Sequence, residues 1–345
     1  MQIITINQPD DWHVHLRDGL FLKQTVDASA CYFARALVMP NLNPALTSLV
    51  DLIAYRTRIL AACTKNSKFN PLMTFYLNHT VKPDDLIASG TYPFIVGAKL
   101  YPAGVTTNSA QGATSVHALY PLLDLMQTQG LVLQVHGEVL EGDVFAREAQ
   151  FIKEYLSDIV KQFPRLKIVL EHISTQEAVE FVEHATDNVA ATITPHHLLY
   201  NRNHLLAHGL KPHYYCLPIL KHARHQQALH QIIKTGHPRF FAGTDSAPHT
   251  QQQKESACGC AGIYSAPYAL SLYAHVFETL NILPKLNDFM SVFGAQFYGF
   301  APNSTKIELV KKPFEVPMYL PFGEEKVIPI AAGQTLDWSV MYAPS

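Results

Sequence analysis

Eight short apolar runs recur along the first 245 residues, and longer stretches separate them. The runs cover residues 12–16, 34–39, 72–76, 94–100, 131–135, 167–170, 189–193 and 239–242. Helical patterns between them include 120–129, 145–161, 175–183 and 226–235. The connections are long enough for right-handed βαβ units, and eight buried strands with intervening helices favour a closed barrel. We therefore predict an α/β fold of the (β/α)8 TIM barrel type.

An open, doubly wound sheet is the alternative arrangement, but no Gly-x-Gly-x-x-Gly turn follows an early run. A length of 345 residues suits one barrel domain over 1–345, since such barrels commonly fill about 250 residues or more. From about 304 to 345 the pattern changes, and four prolines between 313 and 329 punctuate short β-prone pieces. We interpret this part as a short C-terminal extension packed on the barrel.

Charge and hydropathy exclude several classes of protein. The formal net charge is -2, from 26 basic and 28 acidic residues, and 48% of the chain is hydrophobic. A disordered chain would need lower hydrophobicity and a higher net charge. Nucleic-acid binding through bulk charge would need clustered Lys and Arg. No stretch approaches the roughly 20 apolar residues that span a bilayer, so we expect neither nucleic-acid nor membrane partners.

The five cysteines are an odd number at low density, which excludes a disulfide scaffold. The Cys258-Gly259-Cys260 pair could bind a metal, but no second pair stands at zinc-ribbon spacing. Buried free thiols are the favoured interpretation. The N-terminus has no signal-peptide pattern, and together these features predict a cytoplasmic protein.

Polar residues stand where the apolar runs end, and in this barrel fold active sites lie at the carboxyl ends of the strands. His13 and His15 are residues i and i+2 of the first run, so their side chains point to the same face. The ends of four later runs carry Lys99, His136, His172 and Asp245. Each has an ordinary alternative, such as a structural histidine or, for Asp245, a helix cap. Together they predict one reacting centre.

Four neutral imidazoles and a carboxylate suit a borderline cation, most naturally Zn²⁺. The set has enough ligands for two metal ions, which in such sites lie about 3.5–4 Å apart and share ligands. An ammonium group at Lys99 would be repelled by two dications. A carbamate formed from Lys99 and CO₂ would instead be anionic, with one oxygen for each metal.

Nine segments in chain order carry a resemblance to a known family. They are DWHVHLRDG (11–19), VMPNL (38–42), GAKLYP (97–102), VHGE (135–138), LEHIS (170–174), TPHHL (194–198), YCLP (215–218), GTDSAPH (243–249) and KESACGCAG (254–262). In these segments the chain resembles the amidohydrolase superfamily and, within it, the dihydroorotases of the shorter, single-barrel type. The match runs from residue 11 to about 335. His-x-His alone marks only the superfamily, whereas Arg17 and Asn41 together with 245–249 are more specific.

The resemblance implies a zinc-dependent metal hydrolase that catalyses the reversible cyclisation of N-carbamoyl-L-aspartate to L-dihydroorotate in de novo pyrimidine (UMP) biosynthesis. It implies two zinc ions per chain and a metal-bridging hydroxide as nucleophile. One zinc would be held by His13, His15 and Asp245, the other by His136 and His172, with carboxylated Lys99 (N6-carboxylysine) bridging them. Asp245 would also serve as general acid and base.

For the substrate, the resemblance implies a carboxylate site made by Arg17, Asn41 and His249. Main-chain groups near Leu217 and Ala261 would meet the ring amides. The segment 101–115 is rich in small polar residues and glycine, which suits a mobile loop, and its Thr106 and Thr107 match a family loop that closes over substrate. The family often forms homodimers, which we expect here by analogy.

Two other functions stay open at this point. A dihydropyrimidinase or hydantoinase would act on a related cyclic amide, but such enzymes usually carry a β-rich segment before the barrel. The metal motif starts here at His13, which leaves no room for one, and these enzymes have no need of a carboxylate clamp. The other alternative is a non-catalytic barrel that acts as a scaffold. It would be expected to have lost ligands, and none is lost in this sequence.

Overall fold

Strands form three sheets in the computed structural model, which describes residues 2–65 and 67–341. In chain order they are β1 (Ile3–Asn7), β2 (Asp10–Val14), β3 (Arg35–Val38), β4 (Asn70–Leu77), β5 (Ile95–Leu100), β6 (Val132–Val135), β7 (Ile168–Leu170), β8 (Val189–Ile193), β9 (Phe240–Ala242), β10 (Lys306–Glu315), β11 (Leu320–Phe322), β12 (Glu325–Val327) and β13 (Thr335–Met341). Strands β2 to β9 pair in sequence order, each parallel to the next, in one eight-stranded sheet.

The eight-stranded sheet closes where the end of β2 meets the segment after β9. His15 N donates to Ser246 O at 3.0 Å, and Asp245 N donates to His13 O at 2.9 Å. The predicted (β/α)8 barrel is therefore confirmed, and the open doubly wound sheet is wrong. The first barrel strand, β2, ends at Val14 rather than at the predicted residue 16, so His15 lies just beyond it.

The helices that connect the strands cover the outside of the barrel. They are α1 (Leu22–Ala30), α2 (Leu49–Ala62), α3 (Pro83–Ser89), α4 (Tyr120–Gln129), α5 (Arg147–Phe151), α6 (Ser157–Gln162), α7 (Gln176–His184), α8 (Pro195–Leu199), α9 (Arg202–Leu206), α10 (Ala223–Thr235), α11 (Gln251–Lys254), α12 (Ala269–Thr279) and α13 (Phe293–Phe297). Within residues 2–65 and 67–341, none combines the length and apolar character needed to cross a membrane.

Local side-chain hydrogen bonds set several helix boundaries. Thr175 caps α7 by accepting a hydrogen bond from Ala178 N, which places the start of this helix at Gln176. The helix predicted over 145–161 is instead divided into α5, a π-helical stretch at Ile152–Leu156, and α6. Ser157 Oγ donates to Ile152 O at 2.8 Å at this division, a competing bond that the apolar pattern does not reveal.

Apolar and polar layers alternate along the barrel strands. Leu37, Leu72, Val132, Val169, Ala190 and Phe241 pack in one buried cluster with Trp12. Two residues further along their strands stand the buried Thr74, Gln134, Glu171 and Thr192, paired through hydrogen bonds between Thr74 and Gln134 and between Thr192 and Glu171. Because residues i and i+2 of a strand share a face, this polar layer lies above the apolar one, towards the carboxyl ends.

The two ends of the chain form a second, antiparallel sheet in the order β1-β10-β13. Trp338 Nε1 in this sheet donates to Glu278 Oε2 on α12 at 3.0 Å. Strand β1 was not among the predicted strands, because its partner β10 comes from the far end of the chain. Residues 342–345 of the predicted extension lie outside the described residues.

Cys63, Cys216, Cys258 and Cys260 are free thiols, and of the five cysteines only Cys216 is buried. Cys258 is exposed, so the expectation of buried thiols is wrong for it, and Cys31, Cys63 and Cys260 are partly exposed. Cys258 follows α11, in a stretch of exposed residues (255–258) after the last barrel strand.

Candidate metal centre and active site

The six predicted metal-binding side chains all stand at the carboxyl end of the barrel. His13 and Lys99 lie in β2 and β5, whereas four follow the end of a strand: His15, His136, His172 and Asp245. His172 and Asp245 have φ values of +43° and +44°. Residues other than glycine rarely adopt this left-handed conformation, and such strain is concentrated at functional sites.

The first group of candidate ligands is His13, His15 and Asp245, and one hydrogen-bond acceptor atom of each faces the other two. His15 Nδ1 donates to Asn41 Oδ1 at 2.8 Å and His13 Nδ1 lies 3.0 Å from Glu171 Oε2, so the Nε2 atom of each ring is left with a lone pair. These Nε2 atoms are 3.3 Å apart, and Asp245 Oδ1 lies 3.3 Å from His13 Nε2 and 3.1 Å from His15 Nε2. Two lone pairs and a carboxylate oxygen at these distances repel one another unless a cation lies between them.

The second group of candidate ligands, His136, His172 and Lys99, lies next to the first group. The ring centroid of His172 lies 4.9 Å from that of His13 and 4.8 Å from that of His136. His136 Nε2 is 3.0 Å from Glu138 Oε2, which leaves its Nδ1 as the nitrogen free for another ligand. Among the residues that the structure describes, the buried Lys99 Nζ and His172 Nδ1 have no hydrogen-bond partner. Buried polar atoms are nearly always paired, so these orphaned atoms fit a bound group, and the donor set fits zinc.

Burial shifts the titration of these ligands towards the forms that metals bind. It lowers the pKa of Lys99 to about 8, although the charges of Glu171 and Asp245 act in the other direction. It also lowers the pKa of His15 to about 4 and that of His172 well below the usual range, the latter with the help of the Lys99 charge. A neutral imidazole is the metal-binding form, and a neutral amine is the form that reacts with CO₂.

The pKa values of His13 and Asp245 shift in opposite directions, because the two groups attract each other. Burial and the Lys99 charge would lower the pKa of His13, but Glu171 and Asp245 outweigh them and raise it. Burial would raise the pKa of Asp245, but hydrogen bonds with His13 and His15 hold it well below the usual range. Both shifts follow from the attraction of Asp245 for a positive charge at His13, which a bound cation would supply in place of a proton.

Two buried carboxylates hold two of the candidate metal-binding histidines, and neither carboxylate was predicted to have a role. Glu171 accepts from His13 Nδ1 and from Thr192 Oγ1, at 3.0 and 2.5 Å, and Glu138 accepts from His136 Nε2. A carboxylate on the second nitrogen fixes the tautomer and orientation of a metal-binding imidazole. The sequence position of the two glutamates could have indicated this role, since each stands within two residues of a predicted ligand.

The residues predicted to bind the substrate carboxylate lie beside the metal-binding group. Arg17 Nε donates to Pro248 O at 3.0 Å, and its Nη2 lies 3.1 Å from His249 Nε2. Burial and the Arg17 charge lower the pKa of His249 to about 2, so its neutral ring accepts this bond. Asn41 has a role that the sequence did not indicate, because its Oδ1 holds His15.

The loop over 101–115 covers this end of the barrel. Thr107 Oγ1 donates to Ala261 O at 3.2 Å, and Asn41 Nδ2 donates to Thr107 O at 3.0 Å. Thr106 makes its hydrogen bonds within the loop, where its N–H donates to Ser109 Oγ at 2.9 Å. The loop is therefore closed against Asn41 and Ala261, and one of its two threonines makes the contact.

Lys254 joins the two segments that contain Leu217 and Ala261. Its buried Nζ donates to Tyr215 O and to Gly262 O, each at 2.7 Å, and Gly262 N donates to Tyr215 O at 3.0 Å. Leu217 and Ala261 are both partly exposed and stand one or two residues from these bonds. Their main chains are thereby held next to each other.

Comparison with known proteins identifies relatives along nearly the whole chain. The model of the Amidohydrolase family matches residues 6–313. The dihydroorotase of Teredinibacter turnerae is 53% identical over 339 residues, 98% of each chain, and that of Shewanella denitrificans is 52% identical over 343 residues, 99% of this chain and 100% of the relative.

Solved structures give the same result. A dihydroorotase of Campylobacter jejuni superposes with a TM-score of 0.91 at 36% identity, covering 99% of this chain and 98% of that one. The dihydroorotase of Saccharomyces cerevisiae in complex with 5-fluoroorotic acid gives 0.90 at 34% identity, with both chains fully covered at 100%. An L-hydantoinase of Arthrobacter aurescens shares the fold alone, with a TM-score of 0.80 at 16% identity over 98% of this chain and 84% of that one.

Proposed function

From the premise that this chain belongs to the amidohydrolase family, among its dihydroorotases, we propose that it is a zinc enzyme that interconverts N-carbamoyl-L-aspartate and L-dihydroorotate in pyrimidine biosynthesis. The observation that carries the zinc dependence is the convergence of His13 Nε2, His15 Nε2 and Asp245 Oδ1, three acceptors within 3.3 Å. Acceptors without a donor between them are the ligand arrangement of a cation.

Two zinc ions per chain would be held at this end of the barrel. The first would take His13, His15 and Asp245, and the second His136 and His172, with carboxylated Lys99 between them. The chemistry that bound zinc supplies is polarisation of an amide carbonyl and a lowered pKa of water. A pKa of about 8 keeps a substantial fraction of Lys99 as the free amine near neutral pH, which supports its reaction with CO₂.

Asp245 is the proposed general base and general acid. Its carboxylate is ionised and lies against both histidines, at the centre of the group. In the hydrolytic direction the attacking water oxygen joins the ring carbonyl carbon while Asp245 takes the proton. The ring C–N bond then breaks, and Asp245 returns the proton to the departing nitrogen. Cyclisation runs through the same transfers in reverse.

Arg17 and His249 are the proposed carboxylate site, and Asn41 is its third member. The bond from Arg17 Nε to Pro248 O fixes the plane of the guanidinium group, which suits a planar carboxylate. Asn41 Oδ1 accepts from His15 and one N–H of its Nδ2 donates to Thr107 O, so a movement of Thr107 would free this N–H for the substrate. This gives the loop a role in opening the site to substrate.

Main-chain groups at Leu217 and Ala261 are the proposed contacts of the ring amides. Ala261 O accepts from Thr107 here, and that bond would be exchanged for the substrate when the loop with Thr106 and Thr107 opens and closes. We further propose that residues 1–345 form a single domain that acts as a homodimer in the cytoplasm, where free cysteines are maintained.

The test of this function is turnover of L-dihydroorotate, followed by its ultraviolet absorbance, with zinc measured on the same sample. We expect hydrolysis and cyclisation, with two zinc ions per chain. Dihydrouracil has the same ring without the carboxylate and should be a far poorer substrate. Equal turnover of both compounds would assign a dihydropyrimidinase instead, and no turnover at full zinc occupancy would contradict enzymatic function.

A further inference from the structure

His196 is a fully buried histidine with no hydrogen bond from either ring nitrogen, among the residues that the structure describes. A neutral imidazole has one N–H donor and one lone pair, so burying both without partners costs stability. Its neighbour His197 is also buried but fully paired, with Nδ1 2.8 Å from Thr194 Oγ1 and Nε2 3.0 Å from Pro218 O. The fold therefore supplies hydrogen-bond partners for the ring of His197 but not for that of His196.

His196 stands at the functional end of the barrel. It lies in the first turn of α8, directly after β8, between the strand that precedes His172 and the strand that leads to Asp245. Atoms of His196, His197 and Cys216 that could bind a ligand lie within 4.8 Å of one another. Cys216 directly precedes Leu217, so the unpaired ring adjoins the segment proposed to meet the ring amides.

The group His196, His197 and Cys216 is poorly suited to bind a third metal ion. Both nitrogens of His197 are already used, and Cys216 Sγ donates to Pro218 O at 3.2 Å. The ammonium group of Lys254 is held nearby by the carbonyls of Tyr215 and Gly262 and would repel a cation. Burial and the charge of His197 keep the pKa of His196 well below the usual range, so its ring is neutral. A neutral polar ligand therefore fits best.

We propose that His196 binds the ureido carbonyl oxygen of the substrate, to which its N–H donates. This inference rests on the proposed function. Of the polar groups on dihydroorotate, the reacting carbonyl belongs to the metal-binding residues and the carboxylate to Arg17. The main-chain groups at Leu217 and Ala261 are proposed to meet the ring N–H groups, so the ureido carbonyl oxygen is the polar group left without a partner. His196 lies within reach of Cys216, the residue before Leu217, which places its ring beside that part of the ring site. The substrate would thus supply the hydrogen-bond partner that His196 lacks in the fold, and His196 would recognise the ureido carbonyl.

The experiment compares His196→Phe with His197→Phe in the zinc-loaded enzyme. The probes are orotate and 2-thioorotate, which differ at the ureido position, where sulfur is a weak acceptor. Both are measured as inhibitors of dihydroorotate hydrolysis. We expect the wild type to bind orotate about tenfold more tightly than 2-thioorotate, and His196→Phe to lose this preference. His197→Phe should keep the preference.

Thermal stability separates a substrate contact from a structural role. His196→Phe should unfold at the wild-type temperature or above it, because it removes only unpaired atoms, whereas His197→Phe should unfold at least about 2 °C lower. His196→Leu covers the case in which the larger ring of Phe does not fit. His196→Gln, which retains an N–H donor, should partly restore the preference for orotate.

Three outcomes would overturn the proposal. They are an unchanged orotate preference in both apolar variants, a loss of stability or folding in both as large as that of His197→Phe, and loss of a third zinc equivalent with His196. Failure of the proposed function is distinguishable, because the wild type itself would then not turn over dihydroorotate. If the wild type is active and any of the three outcomes is found, only the inference about His196 fails.

Discussion

Glu171 Oε2 lies 3.0 Å from His13 Nδ1, and both side chains are buried at the carboxyl end of the barrel. This contact joins residues 158 positions apart and leaves His13 Nε2 facing Asp245. The glutamate thereby determines which nitrogen of His13 is offered to a metal ion.

Glu171→Gln should weaken zinc binding by about 10–100-fold, as loss of such supporting carboxylates typically does. The amide keeps the shape but removes the charge that favours His13 Nδ1–H. Competition with a chelator measures the affinity directly. Glu177→Gln is the control, because Glu177 is an exposed glutamate that also lies near a histidine, His225. Equal zinc affinity in the two variants would remove Glu171 from the metal centre.

Asp245→Asn should fold but lose about 10²–10⁴-fold of its activity in both directions, because an amide cannot carry the proton. Zinc content is measured on the same preparation, since Asp245 is also a proposed ligand. Activity within several-fold of wild type would exclude Asp245 as the base. Loss of zinc together with activity would show that its main role is metal binding.

Arg17→Met should raise the KM for dihydroorotate by roughly 100-fold, because the charged, planar partner of the carboxylate is removed. Its turnover of dihydrouracil, which lacks the carboxylate, should change little. Arg58→Met is the matched control, since Arg58 is an exposed arginine paired with Asp18. If Arg17→Met discriminates between the two compounds as the wild type does, Arg17 is not the carboxylate site.

Glu148 should make the fold less stable as the pH rises from about 5 to 8. Burial raises the pKa of this glutamate to about 7 in the folded state, against a reference value of 4.5. Between these values the folded state binds more protons than the unfolded state, so stability falls with increasing pH, in total by roughly 3 kcal/mol. Glu148→Gln should flatten this part of the profile of unfolding free energy against pH. An unchanged slope in the variant would contradict the raised pKa.

The sequence was sufficient to predict the barrel and to predict that six candidate metal ligands lie together at one end of it, because the carboxyl ends of parallel strands meet at one face. It could not predict which groups hold the second nitrogen of His13 or His136. Those bonds depend on how separate strands align, as the distance in sequence between His13 and Glu171 illustrates. For the same reason the sequence did not predict β1, whose partner β10 lies at the other end of the chain.

The central claim, a two-zinc centre bridged by carboxylated Lys99, is tested most directly by native mass spectrometry of active, metal-loaded protein. We expect the mass of the chain with one CO₂ and two zinc ions, and loss of all three in Lys99→Ala together with activity. An unmodified Lys99 in fully active, fully zinc-loaded wild-type protein would contradict the claim.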